Sequence, residues 1–180
     1  EVQDESWAKP KNTIIIANKL AEETMAKCRV TKYKKIRELS PKDLNDINLS
    51  HPFSNLEGAE SFWNYSVPLV EADHVTDEAG TGFVHIAPSH GAEDFEVFLK
   101  RGWLSRMTNN VEDDSSFANN VPFFRGLQIF NKKGREGEGN KAVIQKLIEA
   151  NKLIARGILE HSYPHSWRSR APVIFRNTPQ

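Results

Sequence analysis

Apolar positions in this chain recur with two spacings, and the chain changes from one to the other several times. Residues 13–16 form a β-branched run, Thr-Ile-Ile-Ile, that reads as a short strand. Leu20, Ala21, Thr24, Met25 and Cys28 then fall on one face at helical spacing. Residues 30–39 alternate loosely with basic side chains and predict another strand, and Ser40-Pro41 predicts a turn. The stretch 42–50 holds only Leu44, Ile47 and Leu49 among polar positions, too few to match either template. His51-Pro52-Phe53 marks a break, and 54–61 reads as loop. Residues 62–70 alternate again, with Pro68 indicating an edge or a bulge.

The densest pattern follows a turn at Asp77-Glu78. Gly80-Thr81-Gly82 gives a tight approach of backbone to something else, and 83–87 reads as a short buried strand stopped by Pro88. Strand alternation puts Phe83, His85 and Ala87 on one face and Val84 and Ile86 on the other. A helix follows, with Phe95, Phe98 and Leu99 at i, i+3, i+4 and Gly102 at its C-terminal cap. Glu93 and Asp94 lie in its first turn, Lys100 and Arg101 in its last, as the helix dipole favours. An imidazole at a strand end and a carboxylate at a helix start, joined by a Gly/Pro-bounded turn, make a pocket.

Beyond Gly102 the pattern loosens. Residues 108–120 are rich in Asn, Asp and Ser and read as an exposed irregular loop; 121–130 suggest one or two short strands. Residues 131–139 hold three glycines among charges and are expected to be mobile. Asn140 is expected to cap a helix with Val143, Ile144, Leu147, Ile148 and Leu153 inward and Gly157 closing it. Residues 158–162 and 173–175 read as strands. Short strands mixed with three helices, without regular βαβ alternation, indicate an α+β fold.

Composition narrows the partners more than the fold. At 180 residues the chain can bury a real core as one domain. Lys plus Arg equal Asp plus Glu at 24 each, so any contact with RNA must be a local patch. The single cysteine, Cys28, forms no internal disulfide and fits a reducing compartment. The acidic start, Glu1-Val2-Gln3-Asp4-Glu5, is not that of a signal peptide, and no apolar run approaches a membrane span. The absence of an initial Met and the abrupt end at Gln180 read as a piece of something longer.

Asp94 is explained at the plainest level as an acid at a helix N-terminus, whose dipole keeps it ionised. An ionised carboxylate at a pocket mouth also suits an ammonium group. His85 reads either as a hydrogen-bonded strand histidine or as an acid or base near neutral pH. His90, near the helix start, reads as a helper of the cap. A metal is not expected: Pro88 separates His85 from His90, and His161 and His165 have no cysteine partners. There is no Gly-x-Ser-x-Gly elbow, and Gly80-Thr81-Gly82 lacks the later Gly and Lys of a phosphate loop. Arg168, Arg170 and Arg176 beside Trp167 could meet RNA phosphates, but a solvated linker explains them better.

The run Gly-Thr-Gly-x-Val-His-x-Ala-Pro-x-His-Gly-x-x-Asp, residues 80–94, resembles the editing domain of the isoleucyl-tRNA synthetases, class I aminoacyl-tRNA synthetases. The valyl and leucyl families share the Gly-Thr-Gly opening but typically differ at His85 and His90-Gly91. A second match is Tyr163-Pro164-His165-Ser166-Trp167-Arg168 through Ala171-Pro172-Val173-Ile174-Phe175-Arg176 to Thr178-Pro179-Gln180, similar to the segment returning to the catalytic domain. The resemblance implies a β-barrel-like core with flanking helices, an N-terminally incomplete editing domain over 1–162, and a linker over 163–180. It implies hydrolysis of valyl-tRNA(Ile), and of valyl-adenylate, with no cofactor in this domain. ATP, Mg2+ and Zn2+ would belong elsewhere in the full-length enzyme.

Carried onto this sequence, the resemblance makes Asp94 the anchor of the α-amino group and His85 a pocket wall that sizes the side chain and orients water. Gly80, Thr81 and Gly82 become the lip that seats the terminal adenosine, with Phe83, Val84, Ala87 and His90 lining the substrate site. The implied partners are the acceptor end of tRNA(Ile), valine as the rejected amino acid, and the catalytic domain. A cytoplasmic monomer with no membrane contact is expected. Such a second site answers a physical limit: a pocket rejects a substrate one methylene smaller by only about 1–3 kcal/mol, and the isoleucyl enzyme's discrimination against valine is the reference case for it. The family's Thr-Thr-Thr-Pro-Trp stretch has no counterpart among the scattered threonines 13, 24, 31, 76, 81, 108 and 178, so weak or absent hydrolysis is expected without it. A valyl-tRNA synthetase editing domain and a non-catalytic docking module for the tRNA end are the alternatives.

Overall fold

The computed structural model of the chain describes residues 12–59, 61–158, 160 and 162–178. A 3-10 turn, Asn18–Leu20, runs into α1, Ala21–Lys27; α2 is Pro41–Leu44; β1, Asn48–Ser50, pairs antiparallel with β2, Ser66–Pro68. Then come α3, Ala92–Lys100, a 3-10 turn Leu104–Arg106, and α4, Glu138–Glu149. Among the described residues, four helices and one two-stranded sheet make a mixed α and β architecture. Isolated bridges add Val111↔Phe117, Ser116↔Gln128, Phe130↔Glu136 and His165↔Pro172, but no barrel closes among the described residues.

Aromatic side chains supply most of the core. Phe53, Ala59, Trp63, Ala118, Val121 and Phe124 are buried together, with Phe53 and Trp63 edge-to-face at 5.7 Å. Helix α4 lays Ala142, Val143, Leu147 and Ala150 against this cluster. Large rings bury much area per residue, which lets turns rather than sheets frame the core. Residues 108–120 are irregular and largely exposed as expected, but Val111 and Ala118 are buried, and paired backbone groups hold the segment together. The stretch 121–130 is a chain of turns rather than strands.

The strands expected at 13–16, 30–39 and 173–175 do not form, and that at 62–70 shrinks to Ser66–Pro68. Residues 83–87 also make no ladder, although the chain there is not helical. Apolar alternation marks which side chains meet a core, but a ladder needs a partner strand, and among the described residues only β1 and β2 form one. The 158–162 expectation lies partly outside the described residues; Ile158 itself is exposed.

Helix α3 begins and ends close to where its spacing predicts, with Gly102 just past its end at φ +69°. Leu99, expected inward, is instead exposed. Helix α4 starts at Glu138 after Gly137 rather than at an Asn140 cap, and Asn151, at φ +54°, follows its end rather than Gly157. Two of the glycines of 131–139 pack closely against the chain before them. The amides of Gly137 and Gly139 donate to the Ile129 and Gln128 carbonyls at 2.7 and 2.9 Å. A Cβ on Gly137 would lie 2.1 Å from the Gln128 oxygen, so glycine serves close approach here.

Candidate functional site

The turn between the 83–87 segment and α3 is closed by its own backbone. The amides of His90 and Gly91 both donate to the Ala87 carbonyl, at 2.9 and 3.0 Å. In the other direction the Ala87 amide donates to Asp94 Oδ2 at 2.9 Å. Asp94 thus reaches back from the first turn of α3 and satisfies a donor just outside the helix, where the dipole also favours its charge. Gly91 makes room for it: a Cβ there would stand 2.8 Å from Asp94 Oδ2. The other carboxylate oxygen, Oδ1, lies 3.3 Å from His74 Nε2, and both side chains are largely buried.

Gly80-Thr81-Gly82 approaches the N-terminal helix. The Thr81 carbonyl accepts the Ala17 amide at 2.8 Å, and the Gly80 carbonyl accepts the Thr24 hydroxyl at 2.8 Å. Both glycines have positive φ, and a Cβ on Gly82 would lie 2.4 Å from the Ala17 methyl. The close approach expected here is real at Gly82, whose partner is Ala17, whereas Gly80 has open space around it. The Thr81 hydroxyl exchanges contacts with the Phe83 backbone, at 3.2 Å to its carbonyl and 3.3 Å to its amide.

Phe83, Val84 and His85 are all exposed, so the expected burial and alternation are corrected. Without a paired strand the segment has no fixed inward face, and its side chains form an open ledge. His51, within electrostatic reach of His85, stacks its imidazole on Trp63 with centroids 4.4 Å apart and planes 17° apart. His51 Nδ1 accepts the Phe53 amide at 3.1 Å. Burial first, then the nearby His85 imidazole, lowers the His51 pKa from 6.5 to about 4. His51 is therefore neutral at physiological pH.

His90 does not cap α3. Its Nδ1 meets the Phe175 carbonyl at 2.8 Å, and the Ser89 carbonyl accepts the Asn177 amide at 2.7 Å. Arg176 adds a hydrogen bond to the Val111 carbonyl and a salt bridge to Asp113. The terminal segment is thereby latched onto the turn that carries Asp94, whereas Trp167 is left exposed with the Arg168 guanidinium 4.9 Å above its ring. A cavity of about 430 Å³ beside this latch is lined by His90, Val111, Phe117, Phe130, Tyr163 and Ile174. A second, of about 690 Å³, lies between residues 71–74 and the outer side of α3, where His74, Glu93, Glu96 and Arg101 line it.

Asp94, Ala87 and His90 thus belong to one hydrogen-bonded turn, whereas the Gly80–Gly82 stretch contacts Ala17 and Thr24, and His85 lies on the exposed ledge between the two. Sequence reasoning passed over His51 and His74. One signal was available: four of the six histidines fall between positions 51 and 90, within or just before the motif. No three His, Cys, Asp or Glu side chains among the described residues are grouped so as to hold a metal ion. Nor is any helix among them long and apolar enough to cross a membrane.

No protein-family model matches the chain. Individual proteins do. It is 47% identical over 180 residues to the isoleucine–tRNA ligase of Caulobacter vibrioides and 45% identical over 183 residues to that of Bradyrhizobium diazoefficiens. Each alignment covers 98% of this chain and 18% of the relative. The isoleucine–tRNA ligase of Brucella abortus is 42% identical over 193 residues, covering the whole chain and 19% of that protein. The chain thus spans about a fifth of the length of the curated relatives it matches.

Proposed function

We propose that this chain, homologous along nearly its whole length to one segment of the isoleucine–tRNA ligases, is the editing domain of such an enzyme and hydrolyses valyl-tRNA(Ile). The observation that carries the reading is the placement of Asp94. Its carboxylate is held at the first turn of α3 by the Ala87 amide, directly after the His85 ledge. Residues 1–162 form the domain, and 163–180 lead back to the catalytic one. The enzyme is cytoplasmic, and its tRNA, ATP and Mg2+ engage it largely through other segments.

An aminoacyl ester is already activated, so cleavage needs a positioned water and an anchored substrate more than a covalent intermediate. Asp94 binds the α-ammonium of the misattached valine. His85, on the ledge within electrostatic reach of His51, sizes the side chain and orients the attacking water. The Gly80–Gly82 lip meets the terminal adenosine through its backbone, with Thr81 held in place by the Phe83 main chain. Isoleucine is excluded by its extra methylene, the same small difference that the synthetic site cannot exploit strongly.

The exposure of Phe83, Val84 and His85 favours a second reading, a ledge that docks the tRNA end without cleaving it. Asp94→Asn in the full-length protein separates the two. Loss of valyl-ester hydrolysis with tRNA binding retained is the editing result. Unchanged hydrolysis would remove Asp94 from the chemistry, and an absence of hydrolysis in the unsubstituted enzyme would leave the docking module.

A further inference from the structure

We infer that His74 is a positioning residue for Asp94: it fixes the plane of the carboxylate that meets the substrate ammonium, an inference that rests on the editing reading. A carboxylate's terminal torsion is broad and two-fold, so one hydrogen bond at one oxygen leaves the plane free to swing. In this structure Oδ2 is taken by the Ala87 amide and Oδ1 faces His74 Nε2 at 3.3 Å. Two contacts on opposite oxygens define a plane; one does not.

The strap that presents His74 is itself fixed. The Val75 amide donates to the Ala72 carbonyl at 3.1 Å, closing a turn around residues 72–75. His74 is about four-fifths buried and Asp94 slightly more, so solvent does not average the contact away. Nε2 lies 3.3 Å from Oδ1 and has no hydrogen-bond partner among the described residues, so Asp94 Oδ1 is the acceptor it faces. A buried donor left unpaired costs more than the bond itself returns, which supplies the drive to pair the two. The remaining charges near His74 line the cavity on its other side: Glu71 and Asp73 from the strap, Glu93, Glu96, Lys100 and Arg101 from α3.

This arrangement is a support for a binding group, not a group that touches substrate. Ammonium binding by Asp94 acts equally before and during cleavage, so a misoriented carboxylate raises KM more than it lowers kcat. The contact also makes a prediction that needs no substrate. The Ala87 amide is protected by Asp94, so loosening Asp94 should expose it.

The test compares the full-length protein with His74→Phe, which keeps a ring but removes the polar nitrogen, and with His74→Gln, which restores a donor of similar reach. His74→Phe is expected to speed hydrogen–deuterium exchange at the Ala87 amide about tenfold, the effect of losing one charged contact, with an unchanged thermal midpoint. The KM for valyl-tRNA(Ile) hydrolysis is expected to rise by a similar factor, with kcat within about twofold. His74→Gln should recover most of both. Adding His74→Phe to Asp94→Asn should speed Ala87 exchange no further. Unchanged Ala87 exchange, unchanged KM, or an equal speeding of Ala87 exchange in the Asp94→Asn background overturns the inference while leaving editing intact. If the unsubstituted protein does not hydrolyse the ester, the editing reading fails, and Ala87 exchange alone decides whether His74 holds Asp94.

Discussion

The Ala87 amide donates to Asp94 Oδ2 at 2.9 Å, tying the end of the ledge to the first turn of α3 across seven residues. Asp94 therefore has two duties, closing this turn and presenting a charge. Replacing it by Ala removes both, whereas Asn keeps an oxygen for the Ala87 amide and removes only the charge. Asp94→Ala is expected to lower stability by about 1–2 kcal/mol and Asp94→Asn by clearly less, measured by denaturant unfolding. Both should lose valyl-ester hydrolysis. Equal stabilities for the two variants would show that the Ala87 contact contributes nothing.

Gly82 sets how closely the lip approaches the N-terminal helix. Alanine there would place its Cβ 2.4 Å from the Ala17 methyl on a backbone with φ +80°. The clash and the left-handed backbone should together destabilise Gly82→Ala by about 2–4 kcal/mol. Gly80 has φ +72° but open space around it, so Gly80→Ala should cost only about 1 kcal/mol. Faster hydrogen exchange over residues 17–24 in Gly82→Ala, and not in Gly80→Ala, would locate the damage at this contact.

His51 makes stability depend on pH in one direction. Its folded pKa is lowered from 6.5 to about 4, so between those values the unfolded chain takes up the proton more readily. The contribution is full above pH about 6.5 and is lost as pH falls toward about 4. Such a shift corresponds to about 3 kcal/mol for a fully desolvated ring. For a half-buried one, screening by solvent reduces the expectation to about 1–2 kcal/mol. Melting at pH 7 and pH 4.5 should show a smaller difference for His51→Phe than for the unsubstituted protein; equal differences would mean that His51 does not carry the effect.

The parts legible in the sequence were those fixed by local rules. Phe95 and Phe98 with Gly102 located α3, because helical spacing and a left-handed cap are properties of a few consecutive residues. Gly82 signals a close approach, though only the fold reveals Ala17 as what it approaches, while Gly80 faces open space. The apparent strands failed for the opposite reason. Residues 83–87 have the composition of a strand, but pairing is decided by a partner elsewhere in the chain, and among the described residues none pairs with them. Composition cannot tell a flexible glycine from one pressed against the Gln128 carbonyl, as Gly137 and Gly139 are. His74 stayed hidden since its value comes from a residue twenty positions away.

The most direct measurement is the hydrolysis of valyl-tRNA(Ile) and isoleucyl-tRNA(Ile), side by side, by the natural full-length protein with its synthetic reaction held silent. The account predicts that the valyl ester is cleaved much faster than the isoleucyl ester, and that Asp94→Asn removes this activity. Equal rates for the two esters, or a valyl ester that survives with the folded protein bound to it, would contradict it.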